Sequence, residues 1–121
     1  MDSYQAGMRV FAQGDYKQAA LLFGAALKER ETAERWNDWA TALIALGLVR
    51  PAEQGYRRAL QLDPQRGDAA SNLGLLLAAT GRRAEAIPFL ERSQPKVDAE
   101  TQQRVAAVLA ECRQAPAPPA R

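Results

Sequence analysis

The sequence predicts an all-α fold, built as a solenoid of antiparallel helix pairs. Three observations lead to this prediction: a composition rich in alanine and leucine, a repeat marked by glycine, and apolar positions that recur every three or four residues on both sides of each glycine. Alanine occupies 25 of the 121 positions and leucine 14. Both residues are better suited to helices than to strands. A chain of this length is expected to form one domain.

Three glycines set the register of the repeat. Gly14, Gly47 and Gly81 are 33 and 34 residues apart. A glycine suits the left-handed cap that ends one helix and turns the chain back into the next. Five further columns keep the same spacing: Gly7, Ala40 and Gly74; Val10, Leu43 and Leu77; Ala19, Ala52 and Ala86; Phe23, Tyr56 and Leu90; Ala26, Ala59 and Ser93. Each unit is therefore predicted to be a helix–turn–helix of about 34 residues.

The size of the residues in these columns predicts how the helices pack. Small residues on both sides of the glycine allow two helix backbones to approach closely, and the bulky column fills the space beside them. Gly24 and Gly55 lie within second helices, where close approach of a neighbouring helix would explain a residue that weakens a helix. Trp36 and Trp39 are predicted to be core residues of the middle unit.

The columns resemble those of the tetratricopeptide repeat. The pattern of that family is Trp-x2-Leu-Gly-x2-Tyr, then Ala-x3-Phe, then Pro. The middle unit is similar to it at Trp36, Trp39, Ala40, Leu43, Ala52, Tyr56, Ala59 and Pro64. The resemblance covers about residues 1–97. It implies a right-handed solenoid of three repeats, in units of about 1–31, 33–66 and 67–97.

A seventh helix is predicted over residues 98–113. Asp98 is suited to cap its N-terminus, and an apolar stripe runs through Val105, Val108, Leu109 and Cys112. Such a helix would cover the open end of the third unit, so a single domain is expected over residues 1–114. Residues 115–121 contain three prolines and are expected to form a disordered tail or linker.

Composition argues against several functional classes. The chain has no His and one Cys, which excludes a Ser-His-Asp triad, an internal disulfide framework and Cys- or His-based metal sites. We therefore expect no enzyme, no metal and no cofactor. A net charge of +2 gives no reason to expect a nucleic-acid or membrane partner. No signal peptide or membrane span is visible, so a cytoplasmic location is expected.

Two arginine pairs, Arg57-Arg58 and Arg82-Arg83, are expected to be solvated surface. Their places in the repeat put them on second helices and turn tips, which form the outer side in the family that the sequence resembles. No base-stacking aromatic residues are interleaved with them, which weakens an RNA-binding interpretation.

The resemblance also implies a site, because the first helix of each tetratricopeptide unit lines a concave groove. Residues on that face are Tyr4, Met8 and Phe11 in the first helix, Glu34, Asn37, Asp38 and Thr41 in the third, and Asp68, Asn72 and Leu75 in the fifth. An alternative for Met8 and Phe11 is that they pack beneath the second unit. By this mapping no Lys or Arg lies near the three acids, so the groove is expected to be negative.

These features predict a non-catalytic scaffold or adaptor that binds a peptide or protein segment in its groove. Acids select for Lys or Arg and the apolar stripe selects for a bulky neighbour, so the expected partner combines basic and apolar residues. Chaperone-binding members of the family grip a terminal carboxylate with Lys and Arg, where this chain has acids or apolar residues. Two alternatives stay open: self-association into a homo-oligomer through the first helix, and a role as the accessory domain of a larger bacterial transferase.

Overall fold

The computed structural model describes residues 2–114 and confirms the all-α fold over that range. Seven α-helices and one 3-10 helix lie among the described residues, which include no strand. The α-helices are α1 (Ser3–Ala12), α2 (Tyr16–Glu29), α3 (Ala33–Ala45), α4 (Val49–Leu62), α5 (Gly67–Ala79), α6 (Arg83–Ser93) and α7 (Ala99–Arg113). The 3-10 helix, Gln94–Lys96, joins α6 to α7. The predicted tail, 115–121, lies outside the described residues.

The helices pack as pairs in the order in which they occur in the chain. α1 packs against α2, α3 against α4, and α5 against α6. Each pair then contacts the next through α2 with α3 and through α4 with α5, and α7 packs against α6 and α5. Since every helix contacts near neighbours in the sequence, the arrangement is the solenoid that the repeat predicts.

Four helices begin at a side chain that caps them. Asp2, Asp15, Thr32 and Asp98 each accept a hydrogen bond from the backbone N–H three residues further on, at 2.8 to 3.2 Å. Each bond satisfies an amide that the first turn of a helix leaves without a partner. The cap predicted at Asp98 is confirmed, and this backbone hydrogen bond holds the pKa of the Asp98 carboxyl below its usual value.

Glycine ends the first helix of each pair, as predicted. Gly14, Gly47 and Gly81 have φ of 83°, 78° and 84°, in the left-handed region. The residue after each glycine donates its backbone N–H to the carbonyl five residues earlier, at 2.8 to 2.9 Å, which closes a Schellman cap. A Cβ at these glycines would meet no atom within 4 Å, so the requirement is conformational and not spatial.

The small residues of the repeat lie where two helices come closest. A Cβ on Gly7 would lie 2.7 Å from the Phe23 ring, and a Cβ on Gly74 would lie 2.6 Å from the Leu90 side chain. A Cβ on Gly55 would lie 2.9 Å from the Cβ of Ala40. Close approach therefore accounts for Gly55. It does not account for Gly24, whose added Cβ would find its nearest neighbour, an atom of Trp39, at 3.9 Å.

The bulky column forms the core beside these contacts. Phe23, Tyr56 and Leu90 are all buried. The two tryptophans pack against this core but are only partly buried, so the prediction that they are core residues is confirmed for their packing and not for full burial. Their rings meet edge to face, with centroids 5.4 Å apart, and the Trp36 indole N–H donates to Glu31 at 2.8 Å. The polar N–H of Trp36 thus stays at the surface with a partner.

The apolar stripe of α7 faces the third helix pair. Val105, Leu109 and Cys112 are buried in the same core as residues of α5 and α6. The 3-10 helix packs closely against the start of α5, where a Cβ on Gly67 would lie 2.6 Å from the Lys96 carbonyl oxygen. The contribution of α7 to stability, as the cap of the solenoid, stays a prediction.

Three of the four arginines in the two outer pairs, Arg57, Arg58 and Arg82, make ion pairs with glutamates elsewhere in the chain. Arg82 bonds Glu53 at 2.7 Å, and Arg57 bonds Glu85 at 2.9 Å, which joins α4 to the start of α6. Arg58 similarly reaches a glutamate of the loop before α3. Partly exposed pairs of this kind contribute little stability individually. They leave this surface mixed in charge. None of the helices described is long and apolar enough to cross a bilayer.

Replacing Gly47 with Ala should destabilise the fold by about 1–2 kcal/mol, because an L-residue is strained at the left-handed φ of this cap. Gly24→Ala is the matched control. Its added methyl has room and it improves helix propensity, so stability should be unchanged or raised by up to about 1 kcal/mol. Urea unfolding followed by circular dichroism measures both. Equal free energies of unfolding for the two variants would contradict the assigned role of the turn.

Val105→Asp should lower stability by at least about 3 kcal/mol if α7 is part of the folded unit, because the variant places a charge in the buried stripe. Ala106→Asp changes the next residue of the same helix, which is exposed, and should shift stability by no more than about 0.5 kcal/mol. Thermal unfolding compares the two. A shared melting temperature would mean that the three helix pairs stand without the capping helix.

Candidate functional site

The face predicted to line the groove is joined by side-chain hydrogen bonds that cross from one odd-numbered helix to the next. Between α1 and α3, the hydroxyl of Tyr4 donates to Asp38 at 2.5 Å. Between α3 and α5, the Asn72 amide nitrogen donates to the Asn37 side-chain oxygen at 3.0 Å. The Asn37 amide nitrogen in turn reaches Asp68 at 3.5 Å. The structure therefore joins these predicted residues in two hydrogen-bonded groups, Tyr4 with Asp38 and the network of Asn37, Asn72 and Asp68.

Asp38 is a half-buried carboxylate. Burial raises its pKa above the usual value for Asp, and the negative charges of Glu34 and Asp68 add to that effect, while the hydrogen bond from Tyr4 opposes it. Desolvation also raises the pKa of Tyr4, and its bond to Asp38 raises it further, so this hydroxyl stays protonated and acts as a donor. Only one oxygen of Asp38 takes part in the bond to Tyr4, and the other makes no hydrogen bond with a described residue.

Asn37 lies inside the network and not on its open surface. It is 5% exposed, and both ends of its amide are used, by Asn72 and by Asp68. Its backbone carbonyl also accepts from the Thr41 hydroxyl at 2.9 Å. Asn37 thus positions Asn72, whose side-chain oxygen accepts no hydrogen bond from a described residue. Asn72 is the amide of the pair that a ligand could reach.

The expectation that no cation lies near the groove acids is wrong. Arg66, in the loop before α5, bonds Asp68 at 2.9 Å and Glu34 at 3.4 Å. Helical register could not place it, because it lies outside the helices that were aligned. Arg35 lies nearby, with its guanidinium carbon 5.4 Å from the centre of the Tyr4 ring. Two of the three acids are therefore ion-paired, and the groove is less negative than predicted.

The apolar stripe of α1 divides into a packed part and an open part. Phe11 is partly buried, and its ring contacts Tyr16 and Phe23 with centroids 5.1 and 6.4 Å away. It packs against the core cluster of Ala19, Phe23 and Ala42, which spans the first and second units. Met8 is 47% exposed. Of the three residues predicted on this helix face, Met8 is the most exposed, while Tyr4 is partly buried and its hydroxyl is bonded to Asp38.

A cleft of about 310 Å³, here called the central cleft, lies between α3, α5 and α7. Ile44, Tyr56, Leu75 and Leu76 line it, together with Asn72 and Arg104. The Tyr56 hydroxyl is paired with the Thr41 hydroxyl at 3.0 Å, so the polar atoms at the base of the cleft have partners. The cleft can accept an apolar side chain while Asn72 offers an amide to the backbone beside it.

A second cleft of about 470 Å³, here called the end cleft, continues from the central one towards the 3-10 helix. Its polar lining includes Arg66, Asp68, Asn72, Lys96, Asp98 and Arg104. Asn72, Leu75 and Arg104 belong to both clefts. Sequence reasoning missed Arg104 because α7 follows the last repeat and carries no column that places its residues. An Arg on the exposed side of the predicted seventh helix was the only signal available.

The fold of this chain is similar to the folds of several solved structures. Over 92% of this chain and 89% of the other, it matches the Yersinia enterocolitica type III secretion chaperone SycD in complex with a peptide of the translocator YopD, with a TM-score of 0.84 and 19% identity. The TPR2B domain of yeast Sti1, in complex with pHsp70, matches over 93% of this chain and 94% of its own, with a TM-score of 0.82 and 21% identity. The second TPR domain of human RPAP3, with an HSP70 peptide, matches over 93% of both chains, with a TM-score of 0.80 and 18% identity.

No protein-family model and no curated protein matches the sequence. The structural matches, together with the helix pairs and the glycine caps, show that the chain has the tetratricopeptide-repeat fold. The resemblance drawn from the repeat columns is confirmed. At identities near one fifth, the likeness concerns the fold, and the site residues of this chain stay a prediction.

Asp38→Asn should stabilise the protein at neutral pH. The pKa of Asp38 is raised in the folded state, so its ionised form destabilises the fold, and that penalty disappears as the pH falls through the raised pKa. The gain from Asp38→Asn should therefore shrink on acidification. Urea unfolding at several pH values measures it.

Tyr4→Phe should change the stability of the protein in the opposite direction. It removes the hydrogen bond that favours the ionised carboxylate and should destabilise the protein by about 1 kcal/mol at neutral pH. If the difference between Asp38→Asn and the unmodified protein stayed constant with pH, Asp38 would be an ordinary solvated carboxylate.

Proposed function

We propose that this chain is a non-catalytic scaffold or adaptor that binds an extended segment of a partner protein in the groove formed by α1, α3, α5 and α7. The observation that carries the proposal is the pair of adjoining clefts, in which an apolar floor lies beside an amide that is held in place and still able to accept a hydrogen bond. The fold also matches proteins that were solved with peptides of YopD and of HSP70, which supports a peptide partner.

The predicted residues have different tasks in this proposal. Asn72 binds the backbone of the segment, because an amide can donate to a carbonyl and accept from an N–H without regard to side-chain identity. Leu75 and Ile44 supply the apolar floor. Asp38 keeps a negative charge in a half-buried position at a cost to the fold, as charged groups at binding sites often do. Its outer oxygen would accept from a Lys or Arg of the partner.

The remaining predicted residues support these contacts. Asn37 and Thr41 hold the network, and Tyr4 orients Asp38. Glu34 and Asp68 act with Arg66 as an ion-paired edge to the groove. Met8 extends the apolar surface beyond α3. The chain is proposed to act in the cytoplasm, without metal, cofactor, nucleic acid or membrane.

Selection of short random peptides on the immobilised full chain tests the proposal and requires no identified partner. Peptides recovered from the library are then measured by fluorescence anisotropy. Leu75→Asp should weaken them by at least about tenfold, because it places a charge in the apolar floor. Asn72→Ala, which shortens a partly exposed amide, should weaken them too and is less disruptive to folding. Circular dichroism verifies that both variants are folded.

Leu21→Asp is the matched control. Leu21 is 63% exposed, lies on α2, and lines neither cleft, so its change should leave affinity unaltered. If Leu75→Asp and Leu21→Asp bound the selected peptides equally well, the groove would not be the site. Light scattering over a range of concentrations examines self-association. A dimer that Met8→Asp dissociates would then support the homo-oligomer in place of the peptide-binding scaffold.

A further inference from the structure

Arg104 is the cation of the groove that has no partner among the described residues. Arg66 bonds two acids, and the outer arginines Arg57, Arg58 and Arg82 each bond a glutamate. Arg104 lies on α7, is exposed, and lines both the central and the end cleft. No described carboxylate lies within salt-bridge distance of it. A planar guanidinium in this position can bind a carboxylate through two parallel N–H groups.

The acids of the end cleft are already engaged. Asp98 accepts the capping hydrogen bond from the Thr101 N–H at 2.8 Å, and Asp68 is bonded by Arg66 at 2.9 Å. Lys96, the other cation beside Arg104, donates to the side chain of Gln65. Asp63 accepts from the Gln65 backbone N–H at 3.1 Å. Arg104 is therefore the charged side chain of the end cleft that makes no hydrogen bond with a described residue, and its complement is an external carboxylate.

The opposite side of the groove has the opposite unused charge. Asp38 makes no salt bridge with a described residue, and its one side-chain bond comes from the neutral hydroxyl of Tyr4. Arg66, the nearest cation that acts on it, is held by Glu34 and Asp68. α5, which carries Leu75 of the central cleft, contacts both α3 and α7, so Leu75 lies between Asp38 on α3 and Arg104 on α7 in the order of the helices. Along the groove the order is therefore acid, apolar floor, base.

We infer that the groove reads a segment of a partner protein in which an aliphatic side chain is flanked by a basic residue on one side and an acidic residue on the other. The aliphatic side chain enters the central cleft, the basic residue meets Asp38, and the acidic side chain meets Arg104. This inference rests on the proposed function and adds to it the acidic residue and the fixed order. Since the two charges lie at different ends, only one chain direction places both correctly.

Synthetic peptides with both termini blocked test the order. One family has Lys, then Leu, then Glu, with alanine spacers of varied length, and a second has Glu, then Leu, then Lys. One family should bind at least about tenfold more tightly than the other at the best spacing. Families with two Lys or two Glu residues should be weaker than the better mixed family. Equal affinity of the two mixed families at every spacing would overturn the fixed order.

Charge-reversal variants of Arg104 and Asp38 test which residue of the peptide binds at each end of the groove. Arg104→Glu should turn the preference from the mixed peptide to the one with two Lys residues, and Asp38→Lys should turn it to the one with two Glu residues. Arg83→Glu is the matched control, since Arg83 is exposed at the start of α6 and lines neither cleft. It should leave the preference unchanged. An unaltered preference in Arg104→Glu would overturn the assignment of the acidic residue.

A further peptide distinguishes the source of the carboxylate. It has Lys and Leu and ends in a free C-terminus in place of the Glu side chain. Binding of this peptide alone, with no binding of the blocked mixed peptides, would mean that Arg104 receives a chain terminus and would overturn the inference of an internal segment. The Leu75→Asp variant distinguishes a failure of the proposed function from a failure of the charge order. If it abolishes binding and Arg104→Glu does not change the preference, the groove is the site and the charge order is wrong.

Discussion

The close approach of the two helices within each unit is the constraint on which the rest of the structure depends. At Gly7, Gly55 and Gly74 there is no room for a methyl group, because the neighbouring helix would lie within 3 Å of it. The missing side chains of Gly7 and Gly74 make room for the buried side chains of Phe23 and Leu90. Each unit can then pack in one way. The first helices of successive units lie side by side, and their remaining face is left without a helix to cover it.

On that remaining face, polar side chains join neighbouring helices, and the apolar floor of the central cleft lies beside them. The polar contacts give this face a fixed shape. A buried amide such as Asn37 is stable only if both its ends are bonded, so its orientation is set by Asp68 on one side and Asn72 on the other. The orientation of Asn72 follows from it. A ligand that binds Asn72 meets a group whose conformational freedom has already been lost in folding, which is how a surface becomes preorganised for binding.

The repeat columns predicted the fold because each column has a separate physical reason, and all of them agree. Gly47 is required by backbone conformation, Gly74 by space and Ala52 by burial, so three different demands recur at one spacing. The site was less accessible to this reasoning. Helical register places residues on helices that belong to the repeat, and neither Arg66, in a loop, nor Arg104, on α7, lies on such a helix. Those two arginines add positive charge that the register does not place, and so the groove is less negative than predicted.

Ion pairing distinguishes Arg57 and Arg82 on the outer surface from Asp38 and Arg104 in the groove. Arg57 and Arg82 contact glutamates of a neighbouring helix, and a ligand that approached them would have to compete with partners already in place. At Asp38 and Arg104 a ligand displaces water and no protein side chain that carries the opposite charge. Partial burial by the ligand strengthens a new charge pair there, because water is excluded from around it. The net charge of +2 hides this difference. On the proposed function, recognition would use Asp38 and Arg104, where the fold leaves charges without an ion pair near an apolar floor.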